Sequence, residues 1–159
     1  MLFKSFNSKM NISREIIIHA EISKIFPYIN NSKLSNSWMP WQDSDKDAVM
    51  VYSGPDEGVN SKTSWDSKGR MGKGEAIVIE SRPNELVKTK LIYTRPFKMS
   101  QLAQIALFQT ENGVKVVWSV EAEKNFIFKI MSLFIDCDDM IGKQFDMGLV
   151  KLKNMLERN

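Results

Sequence analysis

A carboxylate in the C-terminal segment is the first residue whose type and position suggest chemistry. At helical spacing, Phe145, Leu149 and Leu152 share one apolar stripe, and Asp138 falls on the same stripe. A carboxylate on a buried face is costly unless it is paired or faces a wet cavity. Two interpretations are open. Asp138 either faces a pocket with a raised pKa and orients a ligand hydroxyl or moves a proton, or it hydrogen-bonds an indole N–H or a strand cation. We favour the second, structural interpretation.

Glycines interrupt the same helix. Gly142 and Gly148 each cost about 1 kcal/mol relative to alanine inside a helix. A helix that only fills a core has no need of them. We interpret them as signs of a helix that closes over a partly hollow interior.

Other catalytic combinations are sparse in this sequence. His19 is the only histidine and Cys137 the only cysteine, so a zinc site built from several such ligands and an intrachain disulfide are excluded. We interpret His19 as a surface residue and Cys137 as a small buried hydrophobe. No glycine-rich phosphate loop is present. Glu75 is a second candidate for acid–base chemistry beside Asp138. No cofactor and no metal are predicted.

Large apolar side chains from separate elements form the other group of candidates. Strand periodicity places Trp118 with Val116 on one face, and Gln104 with Phe108 on one face of the preceding strand. We interpret most of these residues as core. The alternative is a cavity with large apolar walls and a few polar groups, Glu75 and Gln104 among them. The candidate ligand-binding residues are Trp38, Trp41, Trp65, Phe97, Gln104, Phe108, Trp118, Phe134, Asp138, Ile141 and Phe145.

Alternating strands must position these residues. A β-branched run at 12–19 is followed by two short helices, at 23–29 and 32–38, in which Pro27 favours a brief or broken first helix. Asn112-Gly113 is a strong hairpin signal, and the short links between later strands imply antiparallel neighbours. The later strands are predicted at 48–53, 59–67, 71–81, 85–94, 101–111 and 114–123, and the final helix at 132–157. The prediction is an α+β fold in which a curved seven-stranded antiparallel sheet surrounds one long helix.

Bulk properties limit the class of protein. The 159 residues are 43% hydrophobic and 26% charged, which predicts one folded domain, 12–159, after an N-terminal extension, 1–11. The formal charge of +3 comes from scattered lysines and arginines, so no nucleic-acid partner is predicted. With one cysteine and no signal-peptide pattern, we expect a cytoplasmic protein.

The longest apolar run lies at 126–135 and is interrupted by Lys129. It is shorter than the roughly 20 residues of a membrane-spanning helix, so no transmembrane segment is predicted. Three interpretations are open: a lid over a pocket mouth, a homodimer contact, or a membrane-surface patch.

Four segments resemble the START-like superfamily, also called SRPBCC, and above all its small bacterial polyketide cyclase/dehydrase-like members. They are Trp38 to Trp41, Gly72 to Glu75, Gly113 with Val116 to Ser119, and Asp138 with Ile141, Gly142, Phe145, Gly148, Leu149, Leu152 and Lys153. Asn60 departs from the pattern, because these members often have a glycine there. The resemblance implies a helix-grip fold with two short helices between the first two strands, over residues 12–159.

The resemblance also implies a function. We expect a small hydrophobic or amphipathic ligand, such as a lipid, in a cavity between the sheet and the C-terminal helix. One alternative is a cyclase/dehydrase-like or hydrolytic enzyme that uses Asp138, Glu75 or both as pocket carboxylates. The other is a regulatory protein that binds a partner through 126–135.

Overall fold

A computed structural model describes residues 9–41, 45–69, 71–96, 98–123 and 137–158. At positions 9, 10, 122, 123 and 137–140 the description covers the backbone but not the side chains. The predicted site residues Phe97 and Phe134 and the apolar run 126–135 lie outside the described residues, as does 132–136 of the predicted helix.

The element order matches the sequence prediction. The strands are β1 (Lys9–Ile18), β2 (Val49–Ser53), β3 (Lys62–Asp66), β4 (Lys73–Arg82), β5 (Leu86–Arg95), β6 (Met99–Thr110) and β7 (Gly113–Glu123). The helices are α1 (Ile22–Asn30), α2 (Ser32–Asn36) and α3 (Cys137–Glu157). The first strand begins at Lys9 rather than at residue 12. None of the described helices is long and apolar enough to cross a membrane.

All seven strands form one antiparallel sheet in the order β1-β7-β6-β5-β4-β3-β2. The first strand therefore pairs with the last, and β1 and β2 are the two edges. The predicted helix-grip architecture, α+β with two short helices between β1 and β2, is confirmed.

The first short helix is brief, as predicted, and the second ends at Asn36 rather than at residue 38. Pro27 lies inside α1, yet the helix runs without a break from Ile22 to Asn30 and buries Ile25 and Ile29. A proline removes one backbone hydrogen bond, and burial of this apolar face offsets that loss. The helix α2 begins at a side-chain cap, because the Asn31 carboxamide oxygen accepts hydrogen bonds from the N–H groups of Lys33 and Leu34.

A left-handed residue explains the departure at position 60. Asn60 has a φ of 73°, a conformation that asparagine tolerates better than most residues other than glycine. The turn before β3 therefore keeps the backbone shape that a glycine would give it.

The core lies between one face of the sheet and α3. Its largest fully buried members include Trp38, Ile12, Ile18, Ile25, Leu149 and Leu152. The glycines of α3 allow a close approach to this core. A Cβ at Gly148 would lie 3.1 Å from Trp118 Cζ3 and 3.2 Å from Pro40 Cδ, and a Cβ at Gly142 would overlap the Arg14 guanidinium. Close packing therefore accounts for Gly148, and Gly142 lies against the mobile end of the Arg14 side chain. The interpretation that the two glycines mark a hollow interior stays a prediction.

The last turn of α3 is fastened to the end of β1. Lys153 Nζ donates a hydrogen bond to the Ile17 carbonyl oxygen at 2.7 Å and contacts Glu157 Oε1 at 2.9 Å. The same Glu157 oxygen accepts the His19 backbone N–H at 3.0 Å. Among the described elements, α3 packs chiefly against β1. These contacts hold the helix along one half of the sheet.

Candidate ligand-binding site

One aromatic cluster lies under α3 and is solid core. Trp118 stacks on Phe145 with ring centroids 3.9 Å apart, and the edges of Trp38 and Trp41 meet it at 5.2 and 6.1 Å. Trp38 is fully buried, and its indole N–H donates to the Tyr28 carbonyl oxygen at 2.8 Å. Ile141 is partly buried against the same core. Because these rings are in direct contact, the cluster can form one wall of a pocket but leaves no space between its own rings.

A second aromatic pair lies on the same face of the sheet but on other strands. Trp65 of β3 and Tyr93 of β5 meet edge to face at 5.5 Å. Gly74 lies between them in the sheet, paired with both. A Cβ at Gly74 would lie 2.6 Å from Trp65 Cζ2, so the absence of a side chain there lets the two rings meet. The Trp65 indole N–H donates to the Met71 carbonyl oxygen at 3.0 Å.

Two cross-strand rows define the candidate site. Residues paired directly across antiparallel strands share a face of the sheet, so each row presents its side chains to the same side as Trp65. The first row is Met50, Trp65, Gly74, Tyr93 and Met99, and the second is Tyr52, Thr63, Ala76, Leu91 and Gln101. We call these ten residues the two-row surface.

Most of the two-row surface keeps some accessible area. Apart from Trp65 and Gly74, all of its residues are only partly buried, in contrast to the sealed core under α3. The apolar side chains of Met50, Leu91 and Met99 alternate with hydroxyl and amide groups. Apolar walls with a few polar groups are typical of small-molecule sites.

The polar groups of this surface are uncharged. The Tyr52 hydroxyl accepts a hydrogen bond from Asn36 Nδ2 at 2.8 Å, and Asn36 is itself buried. Loss of hydration raises the pKa of Tyr93 to about 12, so its hydroxyl keeps its proton at any physiological pH. Thr63 and Gln101 complete the set.

Three predicted site residues lie on the opposite, convex face. Glu75 pairs with Ile92 and forms an ion pair with Lys62, with a 2.7 Å distance between Glu75 Oε2 and Lys62 Nζ. Gln104 pairs with Ser119, and Phe108, half exposed, pairs with Lys115, whose Nζ lies 5.4 Å from its ring centroid. The structure therefore separates Glu75, Gln104 and Phe108 from Trp65 and Trp118. We leave these three residues out of the candidate site.

Asp138 lies in the first turn of α3, and its side chain is outside the description. Its two interpretations therefore stay predictions. Among the residues that the structure describes, no group of three or more His, Cys, Asp or Glu side chains is placed to hold a metal ion.

Sequence reasoning missed Tyr52, Thr63, Tyr93 and Gln101. A signal for Tyr93 did exist, because a glycine opposite a tryptophan in a hairpin leaves room for a second ring on the next strand. However, β4 carries register irregularities at Lys73/Gly74 and Val78/Glu80, and these break the strict alternation from which faces are predicted.

The comparisons with known proteins identify the fold. No family model and no curated protein matches the sequence. Solved structures do. An uncharacterized protein of Rhizobium leguminosarum matches with a TM-score of 0.66 at 14% identity, over 95% of this chain and 96% of that one. The Aha1 dimer of Colwellia psychrerythraea matches with a TM-score of 0.63 at 20% identity, over 93% and 96%.

A biosynthetic protein belongs to the same group of neighbours. The di-domain ARO/CYC StfQ of the steffimycin biosynthetic pathway matches with a TM-score of 0.66 at 10% identity, over 94% of this chain and 51% of that one. At these identities the likeness concerns the fold alone. The chain therefore shares the fold of these solved structures, which agrees with the helix-grip architecture that its sequence predicted.

Proposed function

We propose that the protein binds a small hydrophobic or amphipathic molecule against the two-row surface, in the space between the sheet and α3. The observation that carries the proposal is a face of the sheet with apolar groups, uncharged polar groups and residual accessibility, beside a sealed core. The fold shared with an ARO/CYC protein of a biosynthetic pathway supports it. Affinity would come from burial of apolar ligand surface, at about 25 cal/mol per Å².

Binding of this kind needs no catalytic carboxylate. The enzymatic alternative uses Asp138, Glu75 or both as pocket carboxylates. The ion pair of Glu75 with Lys62 on the convex face argues against a pocket role for Glu75, and the role of Asp138 stays a prediction.

A pair of neighbouring positions on β4 gives a sharp test. Ala76 is on the two-row surface, and Ile77, the next residue, faces the convex side, where it pairs with Lys62 and Lys90. We expect Ala76→Phe to weaken binding of the neutral lipophilic dye Nile red by about tenfold or more, which corresponds to about 1.4 kcal/mol. Ile77→Phe is the matched control and should leave the affinity within about twofold.

The measurement is a fluorescence titration with melting curves for both variants. Equal weakening by the two substitutions, or no binding of Nile red by the unmodified protein, would refute the proposal. If the two variants differ as expected, native mass spectrometry of the protein purified from its own host would identify a ligand that copurifies.

A further inference from the structure

The charge of the ligand can be inferred from the two-row surface. This inference rests on the proposed function. The polar side chains of the surface are Tyr52, Thr63, Tyr93 and Gln101, none of which carries a charge at neutral pH. An ionised ligand group placed beside Tyr93 would lose hydration without gaining a countercharge from these side chains, which is strongly unfavourable.

Among the described residues, Lys33 lies at the β2 edge of this surface, with Nζ 5.7 Å from the centroid of the Tyr52 ring and three strands away from Tyr93. Two arginines on other parts of the sheet are already engaged. The Arg95 side chain, two residues after Tyr93, donates hydrogen bonds to Asp66 Oδ1 and to the Ser67 carbonyl oxygen, each at 2.6 Å. Arg14 pairs with Trp118 and lies on the same face of the sheet as Tyr93. The row of Arg14 crosses β6 at Ile105 and the row of Tyr93 crosses it at Met99, which is about 20 Å away along the strand. Its Nε lies 3.6 Å from Asp146 Oδ2. Neither arginine is placed to receive an anion bound beside Tyr93.

The hydrogen-bonding capacity of the surface is uneven. The Trp65 indole N–H already donates to a protein partner, and the Tyr52 hydroxyl accepts from Asn36 but keeps its own proton, at the β2 edge of the surface. The Tyr93 hydroxyl has no hydrogen-bond partner among the residues that the structure describes, and it lies in a desolvated environment beside Trp65. Because Tyr93 is only partly buried, this hydroxyl stays accessible and can donate its proton to a molecule that lies on the surface.

We propose that the ligand is electrically neutral and carries a carbonyl oxygen, as in an ester or a ketone, that accepts a hydrogen bond from the Tyr93 hydroxyl next to Trp65. The site then discriminates against a carboxylate with the same carbon skeleton. Thr63 and Gln101 line the path of the apolar remainder.

Compounds of matched length test this. Methyl decanoate, 2-undecanone, decanoate and dodecane would each compete with Nile red at pH 8. We expect the ester and the ketone to displace the dye at concentrations at least tenfold lower than decanoate. In Tyr93→Phe, the affinity for the ester and the ketone should fall about five- to tenfold, which is typical of the loss of one hydrogen bond. The affinity for dodecane should stay within about twofold of the unmodified protein. Equal loss for dodecane, or no loss for the ester, would overturn the role of Tyr93.

The unmodified protein gives an independent readout. If decanoate titrates like a Glu side chain, lowering the pH from 8 to 5 raises its protonated fraction several hundredfold, to roughly one-sixth, and leaves the ester unchanged. Apparent affinity for decanoate should therefore rise tenfold or more while that for the ester stays constant. If decanoate at pH 8 competes as well as the ester, the site accepts anions and the inference is wrong although ligand binding stands. If Nile red does not bind at all, the proposed function fails first.

Discussion

Phe145 of α3 stacks face to face on Trp118 of β7, with ring planes 8° from parallel and centroids 3.9 Å apart. Both rings are almost completely buried. Trp118 also receives the edges of Trp38 and Trp41, so one indole joins the sheet, the helix and the segment after α2. Loss of this stack should therefore lower the stability of the whole domain.

Truncation of the stacked ring should be severe. We expect Phe145→Ala to lower the free energy of unfolding by about 3 to 4 kcal/mol, because it removes buried apolar area and leaves a cavity beside Trp118. Urea denaturation followed by tryptophan fluorescence measures the change. Met147→Ala on the exposed side of the same helix, where the side chain is 61% exposed, should cost less than about 0.5 kcal/mol. Similar losses for the two variants would contradict the packing of α3.

The contact of Gly142 with Arg14 predicts coupling between the two positions. Alanine is favoured over glycine in a helix by about 1 kcal/mol, but a Cβ at Gly142 would overlap the Arg14 guanidinium. We therefore expect Gly142→Ala to raise the free energy of unfolding of the Arg14→Ala protein by about 1 kcal/mol. In the unmodified protein, the same substitution should raise it clearly less or lower it. A double-mutant cycle by urea denaturation should yield a coupling above about 0.5 kcal/mol. Strict additivity would mean that the two residues do not touch.

Acid should loosen the end of α3. The hydrogen bond from Lys153, with help from the His19 N–H, holds the pKa of Glu157 below its ordinary value of 4.5. A depressed carboxyl pKa contributes stability that is fully present above the ordinary value and is lost as the pH falls through the lower folded-state value. Below about pH 4.5, the stability of the unmodified protein should thus approach that of Glu157→Gln.

Melting temperatures between pH 7 and pH 3 measure this difference. Glu111→Gln, at an exposed carboxylate in the β6–β7 turn, is the control and should follow the unmodified protein at every pH. A constant offset between Glu157→Gln and the unmodified protein across the range would show that the carboxylate charge has no part in the contact.

Convex-face residues should be silent in binding. Glu75→Gln breaks an ion pair with Lys62 that is about one-third exposed, so we expect a stability change below about 1 kcal/mol and a Nile red affinity within twofold. Fluorescence titration and melting curves are sufficient. A large loss of affinity with unchanged stability would return Glu75 to the list of functional residues.

Much of the fold could be predicted because its signals are local. Alternation within each strand and the turn residues between strands depend on neighbouring positions only. The faces of different strands require the register as well. For Phe108 the sequence did contain the register. A two-residue turn at 111–112 or at 112–113 pairs Phe108 with an odd-numbered residue of β7, and odd-numbered residues lie on the face away from Trp118. The prediction kept strand parities separate and so assigned Phe108 and Gln104 to the site.

Other features were beyond the sequence. The irregular register of β4 hides the relation between Trp65 and Tyr93. The reason for Gly148 lies in Trp118 and Pro40, which are distant in the chain. A glycine in a helix indicates that something comes near, but its neighbours are known only when the helix has been placed on the sheet.

The pairing of β1 with β7 has a consequence for synthesis on the ribosome. Ile12 faces Val120 across that pair, so the first strand to emerge waits for almost the whole chain before it gains its only strand neighbour. Meanwhile β2 to β6 can pair in order as they appear. A nascent chain stalled before residue 113 would display the apolar run of Ile16, Ile17 and Ile18 without cover, and such intermediates should be bound by chaperones or aggregate.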